Sequence, residues 1–336
     1  MSALMRRAVS ALACLAFLPV AGEASAEKIP AKPHQVVIIS FDNSNPVELW
    51  QRSRALAATT GARFTYFLSC VFLLSPETKG IYQAPGEKAG RSNVGFAPSK
   101  EDVKARLQQI WLARSEGHEI ASHACGHFDG GKWTEADWRR ELLSASTILR
   151  DAWRINGLDG EPRGWRHFAE HEISGFRAPY LSTGKHLDEA LAQAGYRYGA
   201  SGVSRGPAEP LERHGLMQFA LPQIPEGPAG RKVIAMDYNL FVRHSGGFER
   251  ADRDGAFEER ALSAFHAAFD SQYSGGRTPL QFGFHFTLMN DGAYWRALER
   301  FARDVCTRAD VDCISYADYV ARREQPDRTV VGDVGG

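Results

Sequence analysis

The stretch Gly117-His118-Glu119-Ile120-Ala121-Ser122-His123-Ala124-Cys125-Gly126-His127 decides how this chain folds. It reads as a short strand running into a loop that carries two histidines four residues apart. The same grammar recurs along the chain. Val36-Val37-Ile38-Ile39-Ser40-Phe41 is a mostly apolar run that ends in Asp42-Asn43. Gly175-Phe176 leads into Arg177-Ala178-Pro179-Tyr180, and Gln281-Phe282-Gly283-Phe284 delivers His285. Four strand ends therefore present a carboxylate, two imidazoles, a guanidinium and a further imidazole. That is the inventory for hydrolysis assisted by a divalent metal.

Between these strands the pattern is helical. Pro46 to Thr60 is a helix with proline in its first turn and Gly61 at its stop. Phe64 to Ser69 is a second strand, and Ser75 to Pro98 a long Gly- and Pro-bearing loop. Ser99 with Asp102 starts a helix to Glu116, and Thr134 caps another to about Trp153. Asn156 to His171 reads as irregular loop. A helix over Lys185 to Ala194 and a strand over Tyr196 to Ala200 follow. Gln218 to Leu221 and Lys232 to Met236 are short strands about a Pro/Gly turn. Asp254 to Tyr273 and Asp291 to Val305 are helices that flank the strand Leu280 to Phe286, and Val311 to Ser315 is a last strand. Strands alternating with helices argue for parallel βα units. The expected fold is α/β, a distorted (β/α) barrel of about seven strands, with the motifs at the carboxyl ends where such barrels place their sites. A doubly wound open sheet is the competing arrangement, but no G-x-G-x-x-G follows the first strand.

Taken in order, the four motifs resemble those of the polysaccharide deacetylases with NodB homology, carbohydrate esterase family 4. Their pieces are a Thr-Phe-Asp-Asp segment, a His-(Ser/Thr)-x-x-His segment, an Arg-x-Pro-Tyr segment and a late apolar strand ending in His. Here they stand as Ser40-Phe41-Asp42-Asn43, His123 to His127, Arg177-Ala178-Pro179-Tyr180 and Phe284-His285. The resemblance covers roughly Val36 to Val320, and Gly175 to Gly184, which carries Arg-Ala-Pro-Tyr-Leu-x-x-Gly, brings it nearer the chitin-deacetylase-like members. It implies a seven-stranded distorted barrel and removal of N-acetyl groups from N-acetylglucosamine-type glycans: chitin oligomers, peptidoglycan or an exopolysaccharide. It also implies one divalent metal ion, zinc by the preference of imidazole ligands, held by Asn43, His123 and His127. Asp42 would be the base and His285 the acid. Arg177 would orient Asp42 through a bidentate pair, and the Tyr180 backbone N–H would meet the oxyanion. Asp237, closing Ile234-Ala235-Met236, either tunes His285 or is an ordinary loop-capping carboxylate. The sequence departs from the family at Asn43, where an Asp is usual, and at Ala124, where a hydroxyl is usual. A neutral ligand binds a dication more weakly and leaves bound water more acidic. Tyr82, Tyr294 and Trp295 are candidates for stacking on sugar rings, against the alternative that they pack the fold.

Composition sets the outer bounds. Of 336 residues, 43% are hydrophobic and 24% charged, with a formal net charge of zero, so nothing points to nucleic acid or a membrane surface as partner. Met5-Arg6-Arg7, the apolar run Ala8 to Val20 and Ala24-Ser25-Ala26 read as an export signal over 1–26. The deacetylase-like domain would span 35–323 and a flexible tail 324–336. The mature protein would be periplasmic or secreted, with a glycan as partner and no stable membrane insertion. Export leaves four cysteines and three possible pairings. Cys70 and Cys125 follow adjacent strands, and Cys306 and Cys313 flank one turn, which favours Cys70–Cys125 and Cys306–Cys313 over four free thiols. Two rival functions stand beside the deacetylase: a glycan-binding pseudoenzyme, motivated by Asn43, and a cytosolic hydrolase of non-sugar amides, which the export signal disfavours.

Overall fold

The computed structural model describes residues 32–325. The export signal read over 1–26, and all of the expected tail but Glu324 and Gln325, lie outside them. Strand β1 (Gln35–Asp42) is apolar on both faces because both are covered. Val37, Ile39 and Phe41 pack outward with helix residues such as Trp50 and Leu298. Ile38 points inward, among Phe67, Tyr198, Phe219 and Tyr316. The period of two places Ser40 and Asp42 on that same inner face.

Around β1 the sheet is parallel. It pairs with β2 (Thr65–Leu68), and on to β3 (Glu119–Ser122), β4 (Gly175–Phe176) and β5 (Tyr198–Ser204). β5 then pairs with β7 (Leu216–Glu226), after the short β6 (Leu211–Arg213) that lies antiparallel beside β7. On the other side of β1 lies β9 (Leu280–His285), also parallel, with Asp42 opposite His285. Met236 bridges to Gly283 of β9, and Ala235 N–H donates to the Pro222 carbonyl of β7 at 2.9 Å. This two-residue segment links β7 to β9 and completes a distorted ring of seven strands. β8 (Arg231–Ile234) forms an antiparallel hairpin with the end of β7, and β10 (Val311–Cys313) adds beside the first half of β1.

The helices are fixed by local signals. α1 (Val47–Thr60) ends at Gly61, which adopts φ 71° and donates to the Ala57 carbonyl. Ser99 caps α2 (Lys100–Ser115) through the Asp102 N–H, and Thr134 forms a full capping box with Asp137 on α3 (Glu135–Ile155). α5 (Leu187–Gln193), α7 (Ala256–Ser274) and α8 (Met289–Val305) fall where the sequence places them. Three further helices do not. The stretch read as loop before Arg177 contains α4 (Trp165–His171), which buries Trp165, Phe168 and Ala169 at helical spacing. α6 (Asp237–Ser245) and α9 (Tyr316–Glu324) were not legible as helices. α9 carries a capping box, Ser315 with Asp318, and its Tyr316 closes the inner core. Among the described residues no helix is long and apolar enough to cross a membrane.

A buried histidine on the far side of β3 makes stability depend on pH. The Phe64 N–H donates to His118 Nδ1 at 3.0 Å, so this imidazole must stay neutral there. Burial pushes its pKa down to about 4, against about 6.5 in an unfolded chain. The native state then binds fewer protons than the unfolded state between those values. The contribution is complete above about pH 6.5 and is lost as pH falls toward 4, to a total of about 3 kcal/mol. Asparagine can accept the same bond through Oδ1 without titrating. Urea unfolding of wild type and His118→Asn over this range is expected to show the extra acid sensitivity in wild type only. Parallel pH profiles would contradict it.

Candidate active site

The inner face of β1 ends in a charged cluster under the carboxyl ends of the strands. Asp42 is 2% exposed and Arg177 fully buried. Arg177 Nη1 donates to Asp42 Oδ1 at 2.8 Å and to Ser40 Oγ at 2.9 Å. Its Nε and Nη2 go instead to the Ala200 carbonyl and the Tyr316 hydroxyl, each at 3.0 Å. The bidentate pair expected from the sequence is therefore a single-point contact, because the guanidinium is shared among four acceptors. Its carbon also lies 4.2 Å from the Phe67 ring centroid. Burial raises the Asp42 pKa, but the Arg177 charge and hydrogen bond, with His285, outweigh it and hold the carboxyl below its ordinary value. Asp42 is thus a fixed carboxylate with one oxygen tied to Arg177.

The next strand ends supply the two histidines. His123 N–H donates to the Leu68 carbonyl, continuing the β2–β3 pairing. His123 Nδ1 lies 2.8 Å from the Arg177 carbonyl, which can only accept. The proton therefore sits on Nδ1 and the Nε2 lone pair is free. His127 is tied to Asn93 by its backbone carbonyl, while its Nδ1 is buried with no partner. The two rings are 5.0 Å apart. Burial lowers the pKa of both, that of His127 to about 3, so both are neutral. Asn43 Oδ1 accepts from Ser69 Oγ at 2.7 Å, which sets the orientation of its carboxamide. Neutral imidazoles, one with its tautomer fixed by a carbonyl and one with an orphaned nitrogen, fit the donor set of a divalent metal. Among the described residues no cluster of three or more His, Cys, Asp or Glu side chains is arranged to hold an ion. A third ligand here would be the carboxamide of Asn43.

The backbone of the histidine loop and of the neighbouring strand ends is held in a strained shape. Asn43, Ala124, His127, Tyr180 and Leu181 all have positive φ, between 53° and 58°, and together make five of the nine non-glycine residues so placed among those described. Such conformations persist only where surroundings over-determine them. One tether is the disulfide Cys70–Cys125, present as the sequence suggested along with Cys306–Cys313. Another is Glu141, a fully buried carboxylate on α3 that the sequence reading missed. It accepts from Cys125 N–H at 2.9 Å, from Gly126 N–H at 3.2 Å and from the Tyr82 hydroxyl at 2.9 Å. Tyr82 also accepts from Gly126 N–H at 3.0 Å, and a Cβ on Gly126 would lie 2.5 Å from that hydroxyl. A signal for Glu141 did exist. It lies on the buried stripe Trp138, Glu141, Leu142, Ala145 of an otherwise amphipathic helix.

Opposite Asp42 stands His285. Its Nδ1 is 2.7 Å from Asp237 Oδ1, and its backbone N–H donates to Asp237 Oδ2 at 2.8 Å. Asp237 is fully buried and also receives the Tyr238 N–H. Burial lowers the His285 pKa, but the Asp237 charge and hydrogen bond outweigh it, so the imidazole is held above its ordinary value. Around the rim, the Tyr180 ring rests 4.6 Å from His127 and the Tyr238 ring 6.2 Å from His285. Both tyrosines are more than half exposed. The aromatics named from the sequence as sugar-stacking candidates are not at this rim. Tyr82, Tyr294 and Trp295 are each 1% exposed. Tyr82 serves Glu141, Tyr294 accepts from Asn290, and Trp295 donates to the His285 carbonyl.

No protein-family model and no curated protein matches this sequence. Solved structures do match. A Mycobacterium smegmatis protein described as a polysaccharide deacetylase is 16% identical, with a TM-score of 0.55 over 88% of this chain and 93% of its own. A Pseudomonas aeruginosa PAO1 protein described likewise is 15% identical, with a TM-score of 0.54 over 89% and 96%. The allantoinase PuuE is 16% identical, with a TM-score of 0.52 over 89% and 95%. The seven-stranded ring, its order and these matches agree: the chain has the NodB-type fold of the polysaccharide deacetylases.

Proposed function

We propose that this chain is an exported, metal-dependent hydrolase that removes N-acetyl groups from N-acetylglucosamine-type glycans. One observation carries the reading. A carboxylate held below its ordinary pKa, Asp42, stands opposite an imidazole held above its own, His285, on neighbouring strands. Two titratable groups pushed apart in this way are the signature of a base and an acid. The two disulfides fit an oxidising compartment.

Asn43, His123 and His127 would hold the divalent ion, zinc by ligand preference, which when bound supplies polarisation of the amide carbonyl and a more acidic water. Asp42 accepts the proton of the attacking water through the oxygen that Arg177 leaves free. Arg177 keeps that carboxylate ionised and pointed. The Tyr180 backbone N–H donates to the oxygen on which charge develops. His285, steadied by Asp237, gives its proton to the leaving nitrogen as the C–N bond breaks. Water is consumed, and acetate and a free amine leave.

The weak point of the ligand set is Asn43, and it gives a prediction. Asn43→Asp keeps the acceptor for Ser69 Oγ and adds a negative charge. Zinc affinity, measured by competition with a chelating dye, is expected to rise roughly tenfold or more. Unchanged affinity would remove Asn43 from the ligand set and favour the glycan-binding pseudoenzyme. The allantoinase match keeps hydrolysis of a non-sugar amide as the other alternative. Acetate release from N-acetylglucosamine oligomers should therefore be assayed beside ring opening of allantoin. Turnover of the sugar alone supports the proposal, and turnover of allantoin alone overturns it.

A further inference from the structure

The end of β7 runs past its neighbour in the ring. Pairing with β5 stops at Ser204–Pro222, and Gln223 to Glu226 pair only with β8. The β7–β8 hairpin therefore projects beyond the carboxyl ends of the strands, beside the site. α6 runs along it, and the two enclose an open groove of about 680 Å³. At one end the groove is walled by Tyr238, the residue whose ring faces His285. At the other end it is walled by Lys232 and Arg243.

The charge of this groove is one-sided. No carboxylate lines it. Among the described residues Lys232 pairs with no acid, and Arg243 donates only to the Lys232 carbonyl, at 3.0 Å. The single carboxylate of the hairpin, Glu226, is 4% exposed and bound to His244 and Arg260. Over the whole sequence the charges balance, with 40 acidic and 40 basic residues. Tyr238 and Val242, one helical turn apart, are both about half exposed and offer an apolar floor. Arg243 lies five residues beyond Tyr238, or about 7.5 Å along the helix axis. That is the reach of one or two sugar units.

Resting on the proposed deacetylase reading, we infer that this groove is a subsite for a carboxylate on the glycan, one or two sugars from the N-acetyl group that is removed. The favoured substrate class is thus an anionic N-acetylated glycan, with the carboxylate on a uronic acid or on a lactyl ether. Lys232 and Arg243 bind the carboxylate, and Tyr238 stacks on the sugar between it and His285.

The test compares three probes on the zinc-loaded protein: N-acetylglucosamine tetramer, a tetramer alternating N-acetylglucosamine with glucuronate, and a tetramer alternating N-acetylglucosamine with N-acetylmuramate. One or both anionic probes should show a kcat/KM roughly tenfold above the neutral one, and the better of the two identifies the carboxylate source. The double variant Lys232→Gln/Arg243→Gln should abolish that ratio by raising KM for the anionic probe. Arg243→Lys should retain most of it. Calorimetry with the inactive His285→Ala protein reads binding without turnover. Anionic binding that is lost in the same double substitution supports the subsite even if no probe is hydrolysed, in which case only the deacetylase reading fails. Equal affinity for neutral and anionic probes, or an unaltered ratio in the double variant, overturns the subsite.

Discussion

Replacing Asp42 with asparagine is expected to lower kcat by roughly a thousandfold while zinc content stays at one ion per chain. The carboxamide is isosteric and can still accept from Arg177 Nη1. It cannot take a proton from water. Because Asp42 is assigned no place among the metal ligands, the loss must appear in turnover and not in metal occupancy. A second consequence separates this from a trivial surface change. Arg177 is fully buried, and Asp42 is the carboxylate paired with it. Neutralising that partner strands a buried cation, at a cost of about 3 kcal/mol. The remaining contacts to Ser40, Ala200 and Tyr316 should keep the variant folded. Elemental analysis, kinetics and urea unfolding on one preparation test all of this. Zinc lost in step with activity would make Asp42 a ligand and overturn the assignment.

Glu141→Ala should damage the site from below. It strands the Cys125 N–H and leaves the Tyr82 hydroxyl proton without an acceptor in a buried interior, while the Gly126 N–H keeps only its bond to Tyr82. With each buried unsatisfied group costing about 1–3 kcal/mol, a total near 4 kcal/mol is expected. The Cys70–Cys125 bridge still tethers the loop, so the fold should survive. The left-handed backbone at Ala124 and His127 would then be less firmly imposed, and the two imidazoles would lose their fixed separation. Cobalt titration of the metal-free protein, followed by visible absorption, is expected to show affinity reduced roughly 10- to 100-fold. Glu141→Gln keeps one acceptor oxygen and should fall between. Lower stability with unchanged cobalt affinity would make Glu141 a packing residue with no bearing on the metal loop.

Much of the ring and of the candidate site was legible in the sequence, for a physical reason. A strand buried on both faces must be apolar, so β1 and β9 announce themselves, and a polar residue at the end of such a run marks a strand end. Asp42, His123, Arg177 and His285 could be found this way because each directly follows or closes a strand. What stayed hidden depends on tertiary contact. For Tyr82 the sequence left sugar stacking and packing both open, because nothing local shows that Glu141 draws it inside. Glu141 itself was not singled out, and only the buried stripe around it marks it. α4 was lost to its Gly- and Pro-rich surroundings, although Trp165, Phe168 and Ala169 held the spacing. The sharing of Arg177 among four acceptors cannot be read from any spacing, since Ala200 and Tyr316 arrive from distant parts of the chain.

The most direct measurement is product analysis on zinc-loaded protein. Wild type and Asp42→Asn should each be incubated with N-acetylglucosamine tetramer and with the two anionic tetramers, and the products followed by mass spectrometry with acetate quantified in parallel. The expected result is one free amine for every acetate released by wild type, abolished by chelation, restored by zinc and absent with Asp42→Asn. Intact oligosaccharide from wild type that demonstrably binds both zinc and the sugar would contradict it, and would make the chain a glycan-binding protein on a deacetylase fold.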